Sequence, residues 1–81
     1  MQATDIEALI RAGVDCTHVV IEGDGVHWRA LIVSRDFEDK ARIARHKLVK
    51  ATIQSQLASN EIHALSLKTL TPGEWKDTEV Q

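Results

Sequence analysis

The sequence is poor in cysteine and in the motifs that mark common active sites. Its one cysteine, Cys16, excludes an intramolecular disulfide and a cysteine-based zinc site made by this chain alone. It contains no Gly-x-Ser-x-Gly motif, no glycine-rich phosphate loop and no carboxylate pair flanked by apolar residues. We therefore predict a protein that is not an enzyme, and the low cysteine count is typical of a reducing compartment.

Long apolar runs and an excess of one charge are missing as well. No segment approaches the length of a bilayer span, and MQATDIEALI has no basic leader before an apolar stretch. We therefore expect a cytoplasmic protein with no membrane partner. The net charge of -2 gives no global attraction to nucleic acid, so any such attraction has to be local.

The length of 81 residues is enough for one domain with a modest core. We assign residues 1–81 to a single domain, with an ordered core at about residues 4–76. A closed substrate cavity would use much of that core. The size therefore favours an adaptor or binding module.

The first half of the chain predicts a helix and a β-hairpin. Thr4 and Glu7 fit a capping box, so a helix is expected over residues 5–12. Two β-branched, apolar runs at 18–22 and 26–34 are separated by Gly23-Asp24-Gly25, a strong signal for an antiparallel hairpin. In the second strand, periodicity leaves the buried face undecided, as expected for a central strand.

The second half predicts a helix, a strand and a short helix. An apolar stripe that begins at Ile43 predicts a helix over 36–58, with a break near 40–41. A strand over 62–70 follows. Thr71-Pro72-Gly73-Glu74 then forms a capping box that begins a helix carrying Trp75. The polar tail DTEVQ is expected to be frayed.

The predicted element order is α-β-β-α-β-α. A helical crossover between the second and third strands normally makes them parallel and right-handed. The predicted fold class is therefore α+β: a small sandwich with a three-stranded mixed sheet and helices on one face.

Two histidines are the candidate metal ligands. His63 and His27 lie near the starts of strands that we expect to be parallel neighbours. Imidazole is a common metal ligand, although a structural histidine at a strand edge remains the alternative. Iron–sulfur clusters usually need four protein ligands, mainly thiolates, so any cluster here requires thiolates from another molecule. Cys16 is expected before the first strand as a buried small side chain, and His18 is expected on the surface.

The run KARIARHKLVK is a candidate binding surface. It contains five cations and no acidic residue. Such a run is either a solvated helix face or a patch for a phosphate backbone or an acidic partner. A Gly-x-x-Gly loop and an aromatic stacking pair on a strand are absent from the sequence. The candidate residues are Lys40, Arg42, Arg45, Lys47 and Lys50.

The segments HWRALIVSRDFEDKARIARHKLV and IHALSLKTLTPGEW together resemble the BolA-like family. The short hairpin in EGDGVHWRALIVS is more similar to its IbaG (YrbA) branch. The resemblance spans about residues 5–75, and its motifs are specific only together and in order. They are Ser34 with Phe37, Arg45-His46, Ile62-His63-Ala64, and Thr71-Pro72 with Glu74-Trp75.

The resemblance implies a class II KH-like fold and a role in iron–sulfur trafficking or iron homeostasis. It implies a complex with a monothiol glutaredoxin that shares a 2Fe-2S cluster, with thiolates supplied by the glutaredoxin and glutathione. His63 matches the family's histidine ligand. Asp24 stands about where some members carry a cysteine ligand, so we assign the second ligand to His27. Some members are described as DNA-binding transcription regulators, so duplex DNA is the alternative partner, and a homodimer also stays open.

Overall fold

The computed structural model describes residues 1–80, with side-chain burial through residue 78. Its elements are α1 (Ala3–Gly13), β1 (Cys16–Gly23), β2 (His27–Ser34), a 3-10 turn (Arg35–Phe37), α2 (Arg42–Thr52), α3 (Gln54–Ala58), β3 (Ala64–Leu70) and α4 (Pro72–Val80).

The three strands form one mixed sheet in the order β1-β2-β3. β1 and β2 are antiparallel, and β2 and β3 are parallel, with His27 opposite Ala64 and Val33 opposite Leu70. The predicted α+β fold class, hairpin and crossover are confirmed. The central position of β2 explains why its sequence showed no clear buried face.

The main core lies between the sheet and the first two helices. Every second residue of β2, from Trp28 to Ile32, packs with residues of α1 and α2. Ile6 and Ile10 of α1 and Val49 of α2 are fully buried there. Burying a large aliphatic side chain contributes about 1.5–3 kcal/mol, so these contacts hold α1 and α2 on one face.

The fourth helix begins where β3 ends and reaches the other face of the sheet. Trp75 lies 5.2 Å from His18, measured between ring centroids. His18 pairs with Val33, which alternates with the core-facing Ile32 and is itself fully buried. Trp75 therefore covers one end of the face that α1 and α2 leave open. The predicted placement of the helices on one face is thus correct for α1 and α2 and wrong for α4. α4 continues to Val80 and includes most of the tail expected to fray, while Gln81 lies outside the described residues.

The predicted helix over 36–58 is wrong in its first part. A 3-10 turn at Arg35–Phe37 buries Phe37, and the Ser34 hydroxyl accepts the Asp36 N–H at 3.0 Å. Asp39 then takes a positive φ of 62°, which an α-helix excludes. The expected break is thus the start of α2, and a second interruption at Ile53 separates α3.

The apolar stripe assigned to that helix is also corrected at its first residue. Ile43 is 72% exposed. The buried Val49 is six positions further along α2, which places the Ile43 and Val49 side chains about 120° apart around the helix.

Two local predictions change at the start of the chain. α1 begins before the predicted Thr4 cap, because the Asp5 carboxylate accepts the Gln2 N–H at 2.9 Å and completes the first turn there. Cys16 is the first residue of β1 and half-buried, where it was expected in the preceding connection. Burial raises the pKa of its thiol.

Candidate functional site

The β1–β2 turn fixes the position of His27. The Asp24 carboxylate accepts the backbone N–H groups of Val26 at 2.9 Å and His27 at 2.8 Å. These hydrogen bonds, first the one from His27, hold the pKa of Asp24 below its usual value. Gly25 supplies the positive φ of 97° that the turn requires. The backbone of His27 is therefore well held, while its side chain is 72% exposed.

His63 is placed by its two neighbours at the entry to β3. Ile62 is 1% exposed, and its N–H donates to the Gln56 carbonyl at 3.1 Å. The Ala64 N–H donates to the Val26 carbonyl at 3.3 Å. Because its neighbours are anchored to α3 and to the hairpin, His63 is held at the surface with its ring exposed.

The structure brings the two predicted metal ligands together. The ring centroids of His27 and His63 are 6.4 Å apart, with the planes at 83°. A metal ion lies about 2.1 Å from an imidazole nitrogen, which places the outer limit for two rings on one ion near 6.5 Å between centroids. The pair is at that limit, and exposed side chains change rotamer readily. Because that limit is reached only with the ion in line between the rings, the two rings must approach by roughly 1 Å, through a change of rotamer, to ligate one tetrahedral ion.

This pair is an incomplete ligand set. Among the side chains of residues 1–78, no three His, Cys, Asp or Glu residues are grouped so that they could hold a metal ion. Asp24 Oδ2 is 3.9 Å from His27 Nδ1, and Asp24 Oδ1 accepts the backbone hydrogen bonds of the turn. Half-buried Cys16 stands at the far end of β1 from the hairpin turn, so it cannot complete the set. Further ligands would have to come from another molecule.

The candidate cation Arg45 makes contacts within the protein. Its guanidinium donates to Glu74 at 2.7 Å, to the Lys40 carbonyl at 2.8 Å and to the Thr69 carbonyl at 3.2 Å, and it is 14% exposed. It also lies 6.0 Å from the Phe37 ring centroid. The structure therefore uses Arg45 to join α2, β3 and α4.

The other four candidate cations divide between two surfaces. Lys40 and Arg42 line a groove between α2 and β3, together with His46 and Lys68. Lys47 and Lys50 lie on a separate shallow surface beside α3. Burial, with the nearby cations of Lys50 and Arg42, lowers the pKa of His46. The sequence did not predict Lys68 in this group, because only the crossover brings β3 beside α2.

His18 was expected to have no particular partner. Its contact with Trp75 gives it a packing role. Separately, none of the helices in residues 1–80 has the length and apolar character that crossing a membrane requires.

The fold and the site define a class of small α+β proteins in which a hairpin and a parallel crossover strand present two exposed histidines at one end of the sheet. The chain belongs to the BolA-like family, because the family model described as BolA-like protein matches residues 11–74. The resemblance predicted from the sequence is confirmed.

Individual relatives agree with this membership. The acid stress protein IbaG of Escherichia coli (strain K12) is 29% identical over 75 residues, 93% of this chain and 89% of that protein. BolA-like protein 1 of Bos taurus is 36% identical over 94% of this chain and 56% of its own length. A solved bolA protein homologue from Coxiella burnetii is 39% identical with a TM-score of 0.84, covering 94% of this chain and 97% of that one. A bol-like protein from Babesia bovis has a TM-score of 0.86 at 29% identity, covering 98% of this chain and 94% of that one.

Proposed function

We propose that this protein is a non-enzymatic adaptor in cytoplasmic iron–sulfur trafficking that shares a 2Fe-2S cluster with a monothiol glutaredoxin. His63 and His27 are the two ligands from this chain. The thiolates come from the glutaredoxin cysteine and from glutathione, as the family resemblance implies.

The exposed, incomplete histidine pair is the observation that supports this proposal. A resident metal site would need more donors than the two that the side chains of residues 1–78 bring together. A shared site needs its ligands at the surface, where a partner can approach, and both rings are exposed. The pair therefore fits a ligand set completed across an interface.

In this proposal the chain holds the two ligating histidines in place, and the cluster supplies the electron-transfer chemistry. A bound 2Fe-2S cluster accepts and donates single electrons and can be passed to another protein. Asp24 and the Ala64–Val26 hydrogen bond fix the backbones that carry His27 and His63.

The test is anaerobic co-expression with a glutaredoxin whose active site has one cysteine, followed by visible absorption and circular dichroism of the purified complex. His63→Ala should remove the cluster bands or shift them, and His27→Ala should do the same. His18→Ala is the matched control, because His18 is also exposed but packs on Trp75. An unchanged visible spectrum for His63→Ala would exclude His63 as a ligand.

DNA binding by the basic segment remains the alternative function. The five predicted cations do not form one continuous surface, because they lie on two separate surfaces and Arg45 forms an ion pair with Glu74. We therefore expect little of the steep salt dependence that many phosphate contacts produce. Binding of duplex DNA at low salt that weakens when Arg42 and Lys47 become Ala would favour this alternative.

A further inference from the structure

The outer edge of β3 is an open strand edge. The sheet order places β3 at one side, with β2 as its only neighbour among the described strands. Because the Ala64 N–H points to β2, alternation directs the N–H and C=O groups of Leu65, Leu67 and Thr69 outward. The Arg45 contact to the Thr69 carbonyl comes from that outer side and agrees with this direction. Apart from the Thr69 carbonyl, which already accepts Arg45, β3 therefore presents backbone donors and acceptors in the spacing that another strand requires.

A basic groove runs along this edge. It has a volume of about 550 Å³ and lies between α2 and the residues from Leu67 to Leu70. Lys40, Arg42 and Lys68 are exposed around it. The Glu74 carboxylate is the acidic group among its lining residues, and Arg45 neutralises it. The groove thus has an excess of positive charge on a chain whose net charge is -2.

We propose that the β3 edge and this groove bind an acidic, extended segment of a partner protein, which adds to the sheet as a fourth strand. Backbone hydrogen bonds to Leu65 and Leu67 and from the Thr69 N–H supply the pairing. Carboxylates of the segment contact Arg42 and Lys68. Strand addition to an exposed edge is a general mode of peptide recognition, in which side-chain pockets supply the specificity.

Two other occupants fit the surface less well. A second copy of this chain would place the same cations against each other, which like-charge repulsion disfavours. A single-stranded nucleic acid usually stacks its bases on aromatic rings, and the groove is lined by no Phe, Tyr or Trp within the described residues. Charge and backbone pattern together favour an acidic peptide.

The groove is separate from the histidine pair, although the paired edge begins at Leu65, two residues after His63. His27 and His63 lie at the amino ends of β2 and β3, whereas the groove borders the carboxyl half of β3, roughly 15 Å along the strand. The protein could therefore bind the acidic segment without a cluster, and the test needs none.

The probe is a short fluorescent peptide of alternating glutamate and valine, titrated into the isolated protein and followed by anisotropy and by amide hydrogen exchange. We expect saturable binding, with slower exchange of the Leu65, Leu67 and Thr69 amides. The same peptide with alternate backbone nitrogens methylated keeps its charge but loses the strand donors. It should bind at least about tenfold more weakly, equivalent to roughly 1.4 kcal/mol.

Charge-reversal variants test the groove. Arg42→Glu and Lys68→Glu should each weaken peptide binding about tenfold. Lys47→Glu is the matched control, since it makes the same charge change on α2 outside the groove lining, and it should have less than about a twofold effect.

The proposal is wrong if the peptide does not bind, if the methylated peptide binds equally well, or if Lys47→Glu weakens binding as much as Arg42→Glu. It is also wrong if a single-stranded oligonucleotide of equal charge protects the same amides more strongly than the peptide does. Concentration-dependent self-association through these amides would instead assign the edge to a second copy of the chain.

Discussion

Glu74 should stabilise the protein more than its partial exposure suggests. One of its oxygens, Oε1, accepts the Thr71 N–H at 2.8 Å and the Arg45 guanidinium at 2.7 Å. In return, the Thr71 hydroxyl accepts the Glu74 N–H at 3.2 Å, which completes a capping box at the start of α4. We predict that Glu74→Ala destabilises the fold through both contacts.

The magnitude follows from what each partner loses. Thr71 is 7% exposed, so its N–H would be left with poor access to water, at a cost of about 1 kcal/mol. Arg45 keeps its two carbonyl acceptors, and the carboxylate it loses is 48% exposed, so this loss is about 0.5–1 kcal/mol. The expected total is about 1.5–2 kcal/mol, or roughly 10 °C in Tm for a chain of this size.

Urea unfolding followed by far-UV circular dichroism measures this difference. Glu7→Ala is the matched control, because Glu7 also pairs with an arginine, Arg11 at 2.9 Å, but both side chains are about 40% exposed. The control should lose only about 0.3–0.5 kcal/mol. Equal losses for Glu74→Ala and Glu7→Ala would refute the reasoning. Glu74→Gln, which keeps an acceptor oxygen but loses the charge, should fall between wild type and Glu74→Ala.

The same contacts predict a pH dependence. Arg45 first, and then the Thr71 N–H, lower the pKa of Glu74 from its ordinary value of 4.5. A carboxyl whose pKa is lower in the folded state contributes its full stabilisation above the unfolded pKa and loses it as pH falls through the folded pKa. The free energies of unfolding of wild type and Glu74→Ala should therefore converge as pH falls below 4.5, and a constant difference would contradict this assignment.

Two further predictions concern the hairpin and the thiol. Gly23→Ala should cost about 2 kcal/mol, because a Cβ there would lie 2.5 Å from the Trp28 ring and 2.6 Å from the His27 carbonyl oxygen. Gly25→Ala should cost about 1 kcal/mol, since its φ of 97° is strained for alanine but the space is open; thermal unfolding should rank the two variants in that order. Cys16 should react with a thiol-specific disulfide reagent more slowly than free glutathione does at neutral pH, because burial raises the pKa of its thiol. Reaction at the rate of free glutathione would show an exposed thiol.

The elements with strong local signals could be read from the sequence. The Gly23-Asp24-Gly25 turn between two β-branched runs defined the hairpin, and the Thr71–Glu74 capping box defined the start of α4. The helix assigned to 36–58 failed at its start because burial of Phe37 and a left-handed residue at Asp39 decide that segment. Burial of Phe37 is a tertiary contact and the positive φ of Asp39 is a backbone conformation, and the spacing of apolar residues predicts neither.

The candidate site divides in the same way. The residues alone predicted that His63 and His27 lie near the starts of two parallel neighbouring strands, and that any iron–sulfur cluster would need thiolates from another molecule. Three features depend on how the elements pack in the folded protein. The His27 and His63 rings lie 6.4 Å apart, Arg45 forms an ion pair with Glu74, and Lys68 lines the same groove as Arg42. The spacing of residues along a helix or strand specifies which side chains share one face. The packing of helices and strands against each other decides which faces are in contact, and spacing alone does not reveal it.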